Sequence, residues 1–239
     1  MLKPRFLNPS KPDARDRQRM NVARRQLLDA LGVDPANLPV RERAALEALA
    51  EEVLDLRNEL IEKDDELVQA RALADSDVLC PVFNRRAFVR ELTREIALAR
   101  RHGFALCMIY MDLDLFKLVN DKFGHSEGDR ILKKAAALLT DNVRQSDIVG
   151  RLGGDEFGAI LPYAALKDAR TKALELESLL DGLKASGTED GKEPIKVGGS
   201  CGTVEWNGDE TAAQMIARAD ASMFRAKAVR RACSSRNRA

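Results

Sequence analysis

Arg151-Leu152-Gly153-Gly154-Asp155-Glu156-Phe157 sets two glycines and two acids between apolar runs, Ile148-Val149 on one side and Phe157 to Leu161 on the other. A Gly-Gly pair flanked by strand-like segments predicts a tight β-hairpin, with strands over 147–151 and 157–161. Glycine suits such a turn because it tolerates positive φ and lets a ligand approach the backbone closely. Asp155 and Glu156 follow at once, so the hairpin is expected to lift two carboxylates to an exposed tip. Adjacent acids at a tip suit a hard cation such as Mg2+, which prefers oxygen ligands. Taken alone, they also fit a solvated acidic turn.

A second acidic element tips that balance. Phe104 to Met111 is an apolar run of strand length and reads as a buried strand. It ends in Asp112-Leu113-Asp114-Leu115-Phe116-Lys117. Carboxylates at the end of a buried strand, followed by a lysine, have the makings of a metal and phosphate site.

With these pieces in place the chain resembles the GGDEF-domain diguanylate cyclases. The resemblance is carried by Asn84-Arg85-Arg86-Ala87-Phe88, by the run from Asp112 to Asp121, and by Phe123-Gly124-His125 with Gly128-Asp129. It continues through Asp147-Ile148-Val149-Gly150-Arg151, the Gly-Gly-Asp-Glu-Phe itself, Ala219-Asp220 and Ala226-Lys227, and covers roughly residues 75 to 235. It implies two Mg2+ (or Mn2+) ions per half-site, held by the Asp112 side chain, the Leu113 carbonyl and Asp155. Glu156 is implied either as a further metal ligand or as a base near the attacking 3′-hydroxyl. Two such ions would draw charge off a triphosphate and acidify that hydroxyl.

The resemblance also assigns Lys117 to the terminal phosphates, beside backbone N–H groups of the Leu115-Phe116-Lys117 turn, with Gly153 among the substrate contacts. Lys227 and Arg231 match the family's C-terminal phosphate contacts, although its Gly-Arg-Asn reads Arg230-Arg231-Ala232 here. Asn120 and Asp129 match the guanine readers. A carboxylate can accept from both N1–H and N2–H of guanine, and adenine lacks that pair, so such a site discriminates strongly. Asp129 equally fits an acid at a helix start. His125 stands beside this group, as a ribose or base contact or as a structural histidine. Arg144-Gln145-Ser146-Asp147 forms an R-x-x-D at the spacing from Gly153 of the family's inhibitory product site.

Lys+Arg total 39 and Asp+Glu 38, a formal net charge of +1, which argues against nucleic-acid binding through bulk positive charge. Charged residues make up 32% and aromatics 5%, a balance that suits a soluble, helix-rich protein. No apolar run approaches the roughly 20 residues of a membrane helix. The first ten residues hold no signal-peptide core, so a cytoplasmic location is expected and no membrane partner. Cys80, Cys107, Cys201 and Cys233 show no C-x-x-C pairing, which argues against a zinc site, and Cys107 and Cys201 read as buried apolar residues.

In chain order, Met1 to Pro12 reads as a loose tail and Asp13 to Leu31 as a helix with Met20, Ala23, Leu27, Leu28 and Leu31 near one face. Gly32 to Pro39 breaks it. Val40 to about Asp75 reads as one long helix whose apolar positions, Leu46, Leu49, Val53, Leu56, Leu60, Leu67, Ala70 and Ala74, step by threes and fours around Lys63. That seam predicts a coiled coil. The first helix folding back would make a dimer a four-helix arrangement. The expected division is therefore a helical dimerisation region over 1–75 and a cyclase domain over 76–239. At their junction the family's Leu-Thr-Gly-Leu reads Leu79-Cys80-Pro81-Val82, and proline fixes φ where a glycine is usual.

Beyond the junction the expected order is a helix over 84–101, the strand at 104–111, a turn from Asp112 to Gly128, and a helix over 129–144. The hairpin follows, then a helix over 164–183, a polar loop over 184–194, a strand over 195–205 and a helix over 211–231. Strand-helix-hairpin-helix-strand suggests an α+β, ferredoxin-like core. The resemblance implies the palm-like sheet shared with nucleotide cyclases and polymerases. It further implies a homodimeric enzyme that condenses two GTP into cyclic di-GMP and two pyrophosphates and is inhibited by its product. The N-terminal helices are the place for a regulatory protein. The alternative is a silent domain that binds cyclic di-GMP or GTP without turnover, which altered acids at Asp112, Asp155 or Glu156 would favour.

Overall fold

The structure, a computed structural model, describes residues 14–30, 32–186 and 193–236. The expected tail and the middle of the 184–194 loop lie outside the described residues. The chain divides into two compact units, one ending at Arg71 and the other beginning at Ala72.

In the first unit, α1 runs Ala14–Ala30, a 3-10 turn covers Pro35–Asn37, and α2 runs Val40–Asp75. Asp34 starts the 3-10 turn by accepting from the Ala36 N–H at 3.0 Å, the local side-chain bond that favours Asp at such positions. Leu28 and Ala50 are buried, while Leu49, Val53, Leu56, Leu60 and Leu67 are exposed along the expected seam.

The second unit is built on a sheet of order β2-β3-β1-β6, antiparallel at every pairing. Its strands are β1 (Leu106–Asp114), β2 (Ile148–Arg151), β3 (Glu156–Pro162) and β6 (Gly198–Glu205). Alternation along β1 sorts its side chains to two cores. Cys107, Ile109, Met111 and Leu113 face one core, Leu106, Met108 and Tyr110 the other. The first is covered by α4 (Phe116–Phe123), α5 (His125–Asp141) and α6 (Leu166–Leu180), the second by α3 (Arg85–His102) and α7 (Ala212–Arg236). Helices on both faces explain why β1 reads as a continuous apolar run. Fully burying a side chain such as Phe88 or Phe157 stabilises by roughly 1.5–3 kcal/mol.

Local chemistry sets the helix ends. Asn84 caps α3 through Oδ1, which accepts from the Ala87 N–H at 3.0 Å, and Gly103 ends it at φ 71°. Phe88, Leu92, Ile96 and Ala99 then fall on one buried stripe. On α5, Ile131, Ala135 and Leu139 are buried as the spacing predicts.

Several boundaries differ from the sequence reading. β1 begins at Leu106 and continues through Asp114, so the acids belong to the strand; Phe104 instead stacks on Tyr163 at 4.1 Å. The expected turn from Asp112 to Gly128 contains α4, and α5 starts at His125 and stops at Asp141, short of Arg144. Lys184–Ala185 (β4) pairs with Ile195–Lys196 (β5), where a plain loop was expected, and Val197 separates β5 from β6. Cys80, Cys107 and Cys201 are buried free thiols. Burial pushes the Cys80 thiol up to about 11, which keeps it protonated. No described helix is long and apolar enough to cross a membrane.

Candidate active site

The expected hairpin forms: β2 and β3 pair in register, and the Leu152 N–H donates to the Glu156 carbonyl at 2.8 Å. Its glycines work differently from the expectation. Neither Gly153 nor Gly154 has positive φ. A Cβ at Gly153 would stand 2.1 Å from Glu156 Oε2, so that position is glycine because the Glu156 carboxylate folds back over it. The acids are correspondingly half-buried rather than raised on an exposed tip.

Sheet register brings the two acidic segments together. Asp112 lies opposite Glu156, and the Leu113 N–H donates to the Asp155 carbonyl at 3.1 Å. Directly opposed residues share a face, so the Asp112 and Glu156 side chains project to the α3/α7 side. Tyr110, two residues back on β1, shares that face beside Glu156. Burial, then the negative charge of Glu156, push the tyrosine well above its ordinary range.

Helix α7 closes the same side. A Cβ at Gly202 on β6 would lie 2.1 Å from the Met223 backbone nitrogen, so glycine there lets α7 pack directly on the sheet. Lys227 follows Met223 by four residues and shares its face of the helix. Its ammonium is ion-paired and hydrogen-bonded to Asp112 and lies 3.6 Å from Asp114. Burial raises the Asp112 carboxyl, Lys227 opposes that rise, and Asp155 and Asp114 add to it.

Hard carboxylate oxygens at Asp112, Asp155 and Glu156 fit a divalent cation in donor chemistry, and the repulsion that Asp112 feels from Asp155 and Asp114 is what such a cation would relieve. Among the described residues no group of three acids stands close enough to hold a metal ion as placed, and Asp112 is paired with Lys227.

Phosphate-binding geometry starts at Leu115, which is left-handed at φ 62° and turns the chain from β1 into α4. Phe116 and Lys117 thus open a helix, whose first-turn N–H groups lack intrahelical partners and attract anions. Lys117 is exposed. Asn120, on the last turns of α4, has a buried Oδ1 without a hydrogen-bond partner. Such an orphan acceptor suits an N–H donor from a ligand. His125 and Asp129 are exposed on α5, and no hydrogen bond joins Asp129 to Asn120 among the described residues. The Arg231 side chain lies outside the described residues.

Arg144 and Asp147 stand apart from these acids, just before β2. The Arg144 N–H donates to Asp147 Oδ2 at 2.8 Å and the Asp147 N–H returns to the Arg144 carbonyl at 2.9 Å. The Arg144 side chain is exposed beside a cavity of about 410 Å³ whose lining includes Ser76, Pro81, Val82 and Phe83. Pro81 therefore sits in a cavity wall.

Sequence reading missed the residues that tie this junction to the hairpin. Asp77 Oδ1 accepts from the Leu79 and Cys80 N–H groups and from Arg151 Nη1 at 3.0 Å. Arg151 also donates to the Gly154 carbonyl at 2.7 Å, and Arg85 to the Leu152 carbonyl at 2.7 Å. Phe83 bridges to Gly150 and covers the free edge of β2. The only sequence signals were Arg85 and Arg151 lying inside recognised motifs.

Comparison with known proteins gives the context. A family model described as diguanylate cyclase, GGDEF domain, matches residues 74–233. The diguanylate cyclase DgcP of Pseudomonas aeruginosa is 34% identical over 182 residues, covering 76% of this chain but 27% of DgcP. The chain thus spans about a quarter of that relative. The coiled coil and GGDEF domain of Caulobacter crescentus DgcB, solved with cyclic di-GMP, superpose with a TM-score of 0.68 at 27% identity, covering 75% of this chain and 94% of that one. The diguanylate cyclase SiaD of Pseudomonas aeruginosa, solved with its activator SiaC, gives 0.60 at 27% identity over 90% of this chain and 85% of its own.

Proposed function

The chain belongs to the GGDEF family of diguanylate cyclase domains, and from that premise we propose that it condenses two GTP into cyclic di-GMP and two pyrophosphates. The observation that carries the reading is the register of β1 against β3, which sets Asp112 opposite Glu156 with Asp155 tied to Leu113. Asp112, Asp155 and Glu156, with the Leu113 carbonyl, would hold Mg2+ or Mn2+, two per half-site, which supplies Lewis-acid stabilisation of the phosphates when bound.

The chain's own groups do the rest. The first turn of α4 and Lys117 bind the terminal phosphates, with Gly153 beside them. Lys227 leaves Asp112 and takes phosphate charge, joined by Arg231. Asn120 accepts from guanine through its orphan Oδ1, and Asp129 accepts from N1–H and N2–H, with His125 alongside.

One copy holds one GTP, so each 3′-hydroxyl attacks the α-phosphate held by a second copy. Proximity is the main source of rate here, and the α2 seam supplies it by raising the effective concentration of the partner. The exposed Leu49, Leu56 and Leu60 support a homodimer through these helices. Product binds at Arg144 and Asp147 and slows turnover. That SiaD was solved with an activator supports a regulatory protein partner, for which the N-terminal helices are the proposed place.

The test is incubation of the purified chain with GTP and Mg2+, followed by chromatography of the nucleotides. Cyclic di-GMP and pyrophosphate in a one-to-two ratio are expected. A dimeric chain that leaves GTP intact would falsify the enzyme reading.

A further inference from the structure

Beside the catalytic acids lies a second charged cluster that the reaction does not use. Asp114 on β1, Glu177 and Asp181 around the end of α6, and Arg230 on α7 meet next to β6. Arg230 Nη2 donates to Asp181 Oδ1 at 2.6 Å, and Nη1 donates to the Gly199 carbonyl at 2.6 Å. Arg230 also lies 3.8 Å from Asp114 and 3.7 Å from Glu177. One guanidinium thus faces three carboxylates and one carbonyl from three other elements.

The backbone leaves room for this arrangement. A Cβ at Gly198 would stand 2.7 Å from Asp181 Oδ1, 3.3 Å from Arg230 Nη2 and 3.5 Å from Asp114 Oδ2, so a side chain there would displace these charged groups from one another. Ser200 donates to Asp114 Oδ2 at 2.9 Å, and the Cys201 N–H donates to Glu177 Oε1 at 2.7 Å. Asp114 and Glu177 are each fixed by a second bond, which leaves them little freedom to turn away. The Asp114 side chain is 20% exposed, so its charge is poorly screened by water.

Asp114 is also the second carboxylate within reach of Lys227, at 3.6 Å. Arg230 comes three residues after Lys227, one helical turn along α7. Two cations on successive turns therefore face two carboxylates two residues apart on β1. We propose that Arg230 is a positioning residue for GTP binding: it neutralises Asp114, so that Lys227 is not captured there and remains available to the triphosphate. This rests on the reading of Lys227 as a phosphate ligand given under Proposed function.

Without Arg230, Asp114 keeps Lys227 as the one cation the described ion pairs give it, and competes for that ammonium with the incoming phosphates. Arg230→Gln should then weaken binding of a non-hydrolysable GTP analogue about tenfold, the scale of one charge-assisted hydrogen bond. Adding Asp114→Asn removes the competitor, so the double variant should bind nearly as well as wild type. A role confined to tying α7 onto α6 gives no such rescue.

The experiment is calorimetric titration of the Mg2+ complex of that analogue into wild type, Arg230→Gln, Asp114→Asn and the double variant, with melting curves on each. Wild-type affinity in Arg230→Gln overturns the inference. So does a double variant as weak as Arg230→Gln. Should Arg230→Gln fail to fold, the double variant is compared with Asp114→Asn: equal affinities are expected, and a further tenfold loss overturns the inference. A wild type that binds no analogue removes the reading of the nucleotide site itself, an outcome distinct from either failure of Arg230.

Discussion

The two units meet the demand for burial in opposite ways. From Ala72 onward, a sheet covered by helices on both faces buries Phe88, Met108, Ile109 and Phe157 almost completely. Along α2, Leu49 is 60% exposed and Leu60 is 71% exposed, and the stripe between them holds Val53 and Leu56. A run of exposed apolar residues of this kind marks an interaction surface. One unit is finished within a single chain, and the other leaves an apolar stripe open. The proposed reaction, with two nucleotides on two copies, has use for both properties.

The largest expected effect breaks the finished unit at its chemistry. Asp155→Ala removes a carboxylate but keeps the backbone carbonyl that accepts from Leu113. Turnover measured by cyclic di-GMP formation should fall at least about a thousandfold, as for loss of a metal ligand or electrostatic stabiliser. The melting curve should stay within about 1 kcal/mol of wild type, the ordinary range for such a change. A variant retaining a tenth of the activity contradicts the placement of Asp155.

Next comes the tie between the junction and the hairpin. Arg151→Met leaves Asp77 and the Gly154 carbonyl without their guanidinium. A cost of about 2 kcal/mol is expected for charge-assisted bonds in a part-buried setting. That lowers the melting temperature of the second unit by roughly 5 °C. An unchanged melt would mean the junction is held by Phe83 and Cys80 alone.

A smaller effect is expected at the outlying site. Arg144→Ala removes a planar donor fork able to meet guanine O6 and N7, and touches no catalytic group. Initial turnover should match wild type, while inhibition by added cyclic di-GMP disappears. Coincident inhibition curves would make Arg144-Gln145-Ser146-Asp147 only a turn between α5 and β2.

The smallest effect is a pH dependence. Hydrogen bonds from Cys80, Arg151 and Leu79 outweigh burial and hold the Asp77 carboxyl below its ordinary value. Its folded pKa lies below the unfolded one, so its contribution is present above about pH 4 and is lost as pH falls through the folded value. Asp77→Asn should therefore lose stability at neutral pH and progressively less as pH falls below the ordinary carboxylate value, as measured by urea unfolding. A constant difference across that range contradicts the assignment.

Much of the second unit was legible because its chemistry is local. Leu152 to Glu156 signals its turn within a few residues, and Phe104 to Met111 signals most of its strand by unbroken apolarity. Helix α4 was missed because its eight residues sit between a left-handed Leu115 and Gly124, too short for a periodic pattern. Strands β4 and β5 are two residues each and carry no pattern at all. Contacts between distant segments were hidden for a different reason. Lys227 and Asp112 are 115 residues apart, and whether that lysine meets a phosphate or an aspartate is decided by how α7 packs over Gly202. The α2 seam was legible as a spacing, but which residues it exposes appeared only in the structure.

The contrast between a finished and an unfinished unit is tested most directly by changing Leu56 and Leu60 together to Asp and measuring molar mass by light scattering beside GTP turnover on the same samples. Charge placed in a buried seam is strongly unfavourable. The expected result is a particle of half the wild-type mass, with the second unit's melting transition intact and turnover lost. A variant that keeps the wild-type mass, or a monomer that still makes cyclic di-GMP at the wild-type rate, would contradict the claim that the exposed stripe brings the second half-site.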